Sequence, residues 1–489
     1  MDAASLARMQ FAFTAIYHYL FVPLSIGLGL IVALMQTKAY RTGDAHDEAR
    51  AAFWVRLFTM TFAVGVATGI TMEFSFGTNW AGYSRFVGDI FGAPLAAEAL
   101  FAFFLESVFL GVLLFGKGRV SRRFYMVSSW LVWAGSLLSS LWIIIANSWM
   151  QTPAGYTVVH TAAGPKAELT SFLEAALNHT TLQRFFHTVI ALLILGAFVS
   201  MAIGAYYLWK KRDEASARVF IRTGAIVGIV TAVLMLPAAH AQALAVARTQ
   251  PSKLAAMEGQ YEEGPVALSL FGWVDEENET TYALSIPGGT SFLADQSFTT
   301  EYPGLNDFAP DERPEFVNAI FQSYHAMVAL FGAICIALLV ALLVAKGKLA
   351  NKRWPLAILM FAWLAPYLAI EFGWITAELG RQPWIVFGEL KTVDAASASV
   401  TPAQLYITMG LFLAVYLVVF LGWVRMVAKT IKAGPDAFLP SRLAAAAASE
   451  DAPELSFAAA PAGPRDGDDV RDDGESAASV DADASKEVE

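Results

Sequence analysis

The 489-residue sequence has one cysteine, Cys335, which lies in an apolar run. A single thiol excludes an internal disulfide framework, a Cys-ligated iron–sulfur cluster and covalent haem attachment through C-x-x-C-H, so any metal or haem must rely on His, Met or carboxylate. Charge is scarce as well. Asp, Glu, Lys and Arg make up 16% against 56% hydrophobic residues, with mean hydropathy +0.50. That balance does not fit a soluble surface, and no nucleic-acid partner is expected. Internal repeats are absent, which leaves an inverted-repeat transporter without support. Gly111-Val-Leu-Leu-Phe-Gly116-Lys117 spells the start of a phosphate loop, but Gly118 replaces the Ser/Thr and the run ends an apolar span instead of a strand.

Long apolar runs are abundant instead. Stretches able to cross about 30 Å of hydrocarbon fall near 11–36, 53–77, 93–116, 124–149, 181–209, 219–246, 317–346, 354–378 and 402–428. The expected fold is an all-α, polytopic membrane bundle of nine helices. The first run is too long for a signal-peptide core and lacks a cleavage site, so it is expected to stay in the chain. Short basic connections follow runs one, three, five, seven and nine and mark the cytoplasmic side. The N-terminus is then outside and the C-terminus cytoplasmic, with outer connections at 78–92, 150–180, 247–316 and 379–401. The expected organisation is membrane helices one to six over 1–246, an outer loop over 247–316, helices seven to nine over 317–430 and a tail over 431–489. Residues 450–489 hold 13 acidic and 3 basic side chains, whereas the remainder balances at 30 of each. The net charge of −10 therefore belongs to the tail, whose composition predicts disorder.

Ionisable side chains inside membrane spans are costly and are functional candidates. Those present are His18, Glu73, Glu98, Glu106, His187, His240, His325, Glu371 and Glu378, with Met327 as a soft ligand. His18, His187, Met327 and Glu378 share the outer half of the bilayer. His187 and Met327 are the types that give six-coordinate, electron-transferring haem, and His18 and Glu378 could each hold a further iron. Glu98 and Glu106, eight residues apart, fall about 12 Å apart along one helix and on a similar face. Ser107, Ser139 and Asn147 are candidates to extend that ladder. Gly65-Val-Ala-Thr-Gly69 reads as a helix-packing contact. A proton-coupled transporter using Glu98 and Glu106, with the histidines merely packing, is the competing class; it leaves the Met/His/Glu cluster at one depth unexplained.

The strings RMQFAFTAIYHYLFVPLSIGLG, FAVGVATGITMEFSFGTNW, GDIFGAPLAAEALFAFFLES, ANSWMQTP, QPSKLAAMEGQYE and GWITAELGRQPW closely resemble subunit I of the cytochrome bd-type quinol oxidases, from about residue 5 to 428. The resemblance implies an electrogenic terminal oxidase of a bacterial-type plasma membrane. It would oxidise membrane quinol, ubiquinol or menaquinol, at the outer face and reduce dioxygen to water with cytoplasmic protons, without pumping. It further implies three haems (b558, b595 and d), a second membrane subunit, and room for very small accessory ones. Carried over residue by residue, His187 and Met327 match the b558 ligands, while His18 and Glu378 match axial ligands of the high-spin pair; which of these two holds haem d is left open, as is replacement of haem d by a b-type haem. Glu98 matches a carboxylate at the oxygen site. Glu106, Ser107 and Ser139 match a proton path, and Trp374 and Arg381 match residues close to haem. Lys253 and Glu258 match residues of quinol oxidation, in what looks like the shorter version of the family's loop. His325 departs from the Arg found in some members, which would leave a haem propionate with less compensation.

Overall fold

The computed structural model describes residues 2–162 and 164–440. Among the described residues, nine helices are long and apolar enough to cross a membrane: Ala3–Thr42, Ala45–Thr78, Ala81–Phe115, Arg122–Gln151, Thr181–Trp209, Glu214–Thr249, Val317–Ala345, Arg353–Leu379 and Pro402–Ala433, spans one to nine below. Several begin on side chains that satisfy otherwise orphaned N–H groups. Asp2, Asp44, Ser121 and Asp213 accept from Ser5, Asp47, Phe124 and Ser216, and Thr401 and Gln404 form a reciprocal capping box. The expectation of an all-α bundle holds for the spans. The described strands are isolated two-stranded pairs, all in the connections.

Three spans are interrupted, each near a proline. In span one the helix breaks at Leu20–Phe21, because Pro23 has no N–H to offer the Tyr19 carbonyl. Span three carries Pro94 and then a π-helical segment, Glu98–Phe103. In span eight the break at Ala362–Trp363 precedes Pro366, which cannot donate to the Ala362 carbonyl. Segments of π-helix occur frequently at functional sites, and this one starts on Glu98.

Spans one and five meet backbone to backbone. A Cβ on Gly27 would lie 2.3 Å from the Leu192 carbonyl oxygen, and one on Gly196 would lie 2.3 Å from the Gly27 carbonyl carbon. Close backbone approach lets dispersion hold helices together where lipid removes the hydrophobic driving force. It also brings the helices bearing His18 and His187 together.

Several boundaries differ from those read in the sequence: spans one and two begin at Ala3 and Ala45 instead of 11 and 53, and two further differences move connections. Span three begins at Ala81, so most of the expected 78–92 connection is helix. Its polar residues dilute the hydropathy, but Tyr83, Phe86, Val87, Ile90 and Phe91 bury one face. At the other end, helix runs to Ala433 and a short turn covers Pro435–Phe438, although a tail was expected from 431. Arg212 donates to the carbonyls of Lys432 and Ala433 and ties this end to the connection after span five. The remainder of the expected disordered tail, 441–489, lies outside the described residues.

Candidate haem and quinol sites

The motif strings separated in sequence converge at the end of the bundle that carries the 250–316 connection. Asn147 Nδ2 donates to Glu378 Oε1 at 3.0 Å, and Gln151 Nε2 reaches the same oxygen at 3.4 Å. Gln151 Oε1 accepts from Lys253 Nζ at 2.6 Å, and Gln250 Nε2 donates to the Gln151 carbonyl at 3.1 Å. Arg381, one turn beyond Glu378, donates to its second oxygen and to the Ile385 carbonyl. Three segments of the chain thus share one buried network. Because Lys253 is almost completely buried, desolvation pushes its pKa well below the ordinary lysine value.

Arg184 joins this cluster, buried at the start of span five and donating from Nε to Thr180 Oγ1 at 3.2 Å. It lies close enough to Glu378 and Arg381 to interact with both electrostatically. The sequence reading passed over Arg184 and Gln151. A signal for Arg184 was present: a cation three residues before His187, on the same helix face one turn away. Three cations, Arg184, Lys253 and Arg381, therefore surround the single carboxylate of Glu378. Such a surplus suits the carboxylate propionates of a haem.

The expected haem ligands His18, His187 and Met327 have the following surroundings. His18 Nδ1 lies 2.8 Å from Thr68 Oγ1, whose own hydroxyl donates to the Val64 or Gly65 carbonyl. Thr68 must then accept from His18, so Nδ1 carries the proton and Nε2 keeps its lone pair for a metal. Gly69 faces the same ring, and a Cβ there would stand 3.2 Å from His18 Cε1. The Gly65–Gly69 contact thus packs span two against span one, as expected, and also leaves room for the imidazole. His187 Nδ1 is buried without a hydrogen-bond partner among the described residues. Met327 is set against Gly373 of span eight, where a Cβ would come within 2.8 Å of its sulfur. Trp374 stacks on Tyr19, ring centroids 5.4 Å apart, joining spans one and eight beside His18. Glu371, which had no assigned role, has both carboxyl oxygens buried with no hydrogen-bond partner among the described residues.

Lys253 and Glu258 sit on one short helix, Pro251–Glu258, but point to different partners. Lys253 reaches the haem-side network, whereas Glu258 turns to the 268–286 hairpin. Its Oε2 accepts from Ser269 N at 3.1 Å and its Oε1 from Thr290 Oγ1 at 3.1 Å. His325 Nε2 lies 3.6 Å from Glu258 Oε2, while its Nδ1 donates to the Phe321 carbonyl. The residue expected next to a haem propionate is therefore brought to the expected quinol carboxylate.

The two carboxylates of span three both face span four. Ser139 donates to Glu98 Oε1 at 2.9 Å. Glu106 is buried over Gly135, where a Cβ would meet its Cγ at 2.7 Å, with Ser136 beside its carboxyl. Ser107 does not join them: it is exposed, and its hydroxyl donates to the Phe104 carbonyl. Successive helical residues point about 100° apart, so 106 and 107 cannot both face one neighbour. Ser136, one turn before Ser139, takes the position expected for Ser107. Asn147, expected to extend the same ladder, instead serves Glu378.

Residues 6–435 match the family described as cytochrome bd terminal oxidase subunit I. The cytochrome bd-II ubiquinol oxidase subunit 1 of Escherichia coli (strain K12) is 35% identical, covering 89% of this chain and 98% of its own. The cytochrome bd ubiquinol oxidase subunit 1 of Bacillus subtilis (strain 168) is 37% identical over 89% of this chain and 95% of its own. Among solved structures, the bd oxidase from Geobacillus thermodenitrificans aligns with a TM-score of 0.81 at 29% identity, covering 89% of this chain and 99% of that one. The chain belongs to the cytochrome bd terminal oxidase subunit I family, whose members are quinol:oxygen oxidoreductases of membrane respiration.

Proposed function

We propose that this chain, with a second membrane subunit and in some assemblies very small accessory ones, oxidises a membrane quinol at one face of a bacterial-type plasma membrane and reduces dioxygen to water with protons from the other. The observation that carries this reading is the joined network at one end of the bundle. Glu258 and His325 form one half, Lys253, Gln151, Glu378, Asn147 and Arg381 the other, and one eight-residue helix links them. His187 and Met327 would hold haem b558, and His18 and Glu378 the high-spin pair b595 and d. When bound, haem supplies one-electron transfer and oxygen binding.

The protein's own groups handle protons. Glu258, held by Ser269 and Thr290, keeps lone pairs to accept a quinol hydroxyl proton, and His325 stands behind it to share the charge. Arg381 pairs with Glu378 and fixes its position, and Lys253 is tied to the same carboxylate through Gln151. At the oxygen end, Glu98 and Glu106 hold protons that reach them from the basic, cytoplasmic side, with Ser136 and Ser139 spanning one turn between them. The end carrying the 250–316 connection is then outside. Releasing protons on one face and drawing them from the other stores about 2.3 kcal/mol per elementary charge per 100 mV without a pump.

Glu258→Gln in the purified two-subunit oxidase tests the quinol end. Quinol-driven oxygen consumption should fall at least about tenfold, the lower range for loss of a general base being nearer a hundredfold, with pyridine haemochrome and reduced-minus-oxidised spectra unchanged. Full turnover, or loss of haem, would refute the assignment. The same spectra count and identify the haems.

A further inference from the structure

The 268–286 hairpin pairs Leu268–Asp275 with Thr280–Ile286 and inverts the usual sidedness of a strand pair. Its inner face carries Ser269, Val274 and Thr281 against the Pro251–Glu258 helix and Gly259. Its outer face carries Phe271, Trp273, Tyr282 and Leu284, 65, 60, 64 and 56% exposed. These are cross-strand partners, Trp273 with Tyr282 and Phe271 with Leu284. A contiguous exposed apolar face of this kind needs a cover.

Its depth is set by span seven. Asn318 Oδ1 accepts from Val274 N at 3.1 Å and Gln322 Nε2 donates to the Gly272 carbonyl at 2.7 Å. At the tip, Asn318 N donates to Glu276 Oε1 at 2.8 Å. At the base, Ser269 binds Glu258, which faces His325. The hairpin therefore lies along residues 318–325, about 10 Å of helix, with its tip at the helix start and its base deeper. Span seven has 29 residues, about 43 Å, which exceeds the roughly 30 Å hydrocarbon layer, and its polar Asn318, Gln322 and Ser323 against an apolar far end put the excess at its first turns, in the interfacial zone.

Polarity follows that axis. The tip is Asp275-Glu276-Glu277-Asn278-Glu279, an acidic turn closed by Asp275 accepting from Glu277 N and Asn278 N. The Trp273–Tyr282 pair comes next, then Phe271–Leu284, then Leu268–Ile286 at the base. Charged, aromatic and aliphatic layers in this order match water, headgroups and acyl chains.

We propose that the outer face of this hairpin is set into the adjoining bilayer leaflet, with Trp273 and Tyr282 at headgroup depth and Phe271 and Leu284 at the acyl boundary. If Glu258 accepts quinol protons as argued above, the Ser269 bond makes the anchored strand hold that carboxylate at the depth where a lipophilic quinol travels; the immersion itself does not depend on that reading.

The test is depth measurement on the two-subunit oxidase in phosphatidylcholine liposomes. With the single cysteine removed as Cys335→Ala, spin labels are attached to Phe271→Cys, Leu284→Cys and Glu277→Cys. Relaxation by dissolved oxygen is compared with relaxation by water-soluble nickel chelate. The oxygen-to-nickel ratio at 271 and 284 should exceed that at 277 several-fold. Equal ratios would show an aqueous face, and exclusion of both reagents would show a protein cover; either overturns the proposal. On the unmodified oxidase, a phosphatidylcholine with a diazirine near its glycerol should label peptides covering 270–273 and 282–286, and absence of label there would overturn it independently.

Discussion

Gly373→Ala separates a ligating Met327 from a packed one. The added methyl carbon would stand 2.8 Å from the Met327 sulfur, where ordinary contact begins at 3.4 Å. The sulfur would have to retreat by about 0.6 Å, some three times the roughly 0.2 Å tolerance of a metal–ligand distance. A methionine that merely packs has three rotatable bonds and can yield for well under the ~1–3 kcal/mol of a rigidly overpacked core. A methionine held by iron cannot yield without loosening the bond. The expected result is a folded oxidase that retains its high-spin haems and loses the low-spin b558 band in reduced-minus-oxidised spectra, or shows it at a lowered midpoint potential. Gly65→Ala is the control, because its Cβ meets Val22 at an ordinary 3.6 Å; it should be silent. An unaltered b558 band and potential in Gly373→Ala would refute the reasoning and return Met327 to packing.

Met327→Leu preserves volume but offers no donor, so it should abolish b558 and spare the high-spin haems, as judged by the same spectra. Glu106→Gln keeps size and hydrogen bonding but cannot release a proton; it should load haem normally and slow oxygen consumption and voltage generation in proteoliposomes at least about tenfold, whereas normal rates would move the proton path elsewhere. Burial lowers the Lys253 pKa, so between that depressed value and the ordinary 10.5 the unfolded chain binds more protons than the folded one and stability should rise with pH. Thermal unfolding of the oxidase at neutral and alkaline pH should show this slope reduced in Lys253→Met, and an identical slope would contradict it.

The spans were legible because hydrocarbon imposes one requirement on every residue that crosses it, and long apolar runs satisfy it visibly. Span three escaped at its start because Gly82, Arg85, Gly88 and Asp89 lower the average while a buried face persists. Residue types likewise singled out the isolated ligand candidates His18, His187 and Met327. Pairings were less legible. The axial spacing of Glu98 and Glu106 could be read from rise per residue, and the 100° turn between 106 and 107 already set Ser107 off the shared face, but the choice of Ser136 as partner depends on how span four packs against span three, which no local pattern in the sequence records. The hairpin was hidden for a different reason: a loop with an apolar outer face gives no signal in an average that treats connections as aqueous.

The buried charges connect assembly to function. Taking an ion out of water costs several kcal/mol unless a partner compensates it, and among the described residues Arg184, Lys253 and Arg381 have only the Glu378 carboxylate close by. Lysine can relieve the imbalance by giving up its proton, and burial pushes the Lys253 pKa in that direction. A guanidinium gives up its proton far less readily. Two guanidinium groups then share one carboxylate, an arrangement that anionic groups arriving with haem would complete. A ligand that binds only the folded state stabilises it, so the network joining Gln151, Lys253 and Glu378 links retention of cofactor to the placement of the helix that carries Glu258. Disturbing either half should be felt in the other through Gln151, whose amide touches both.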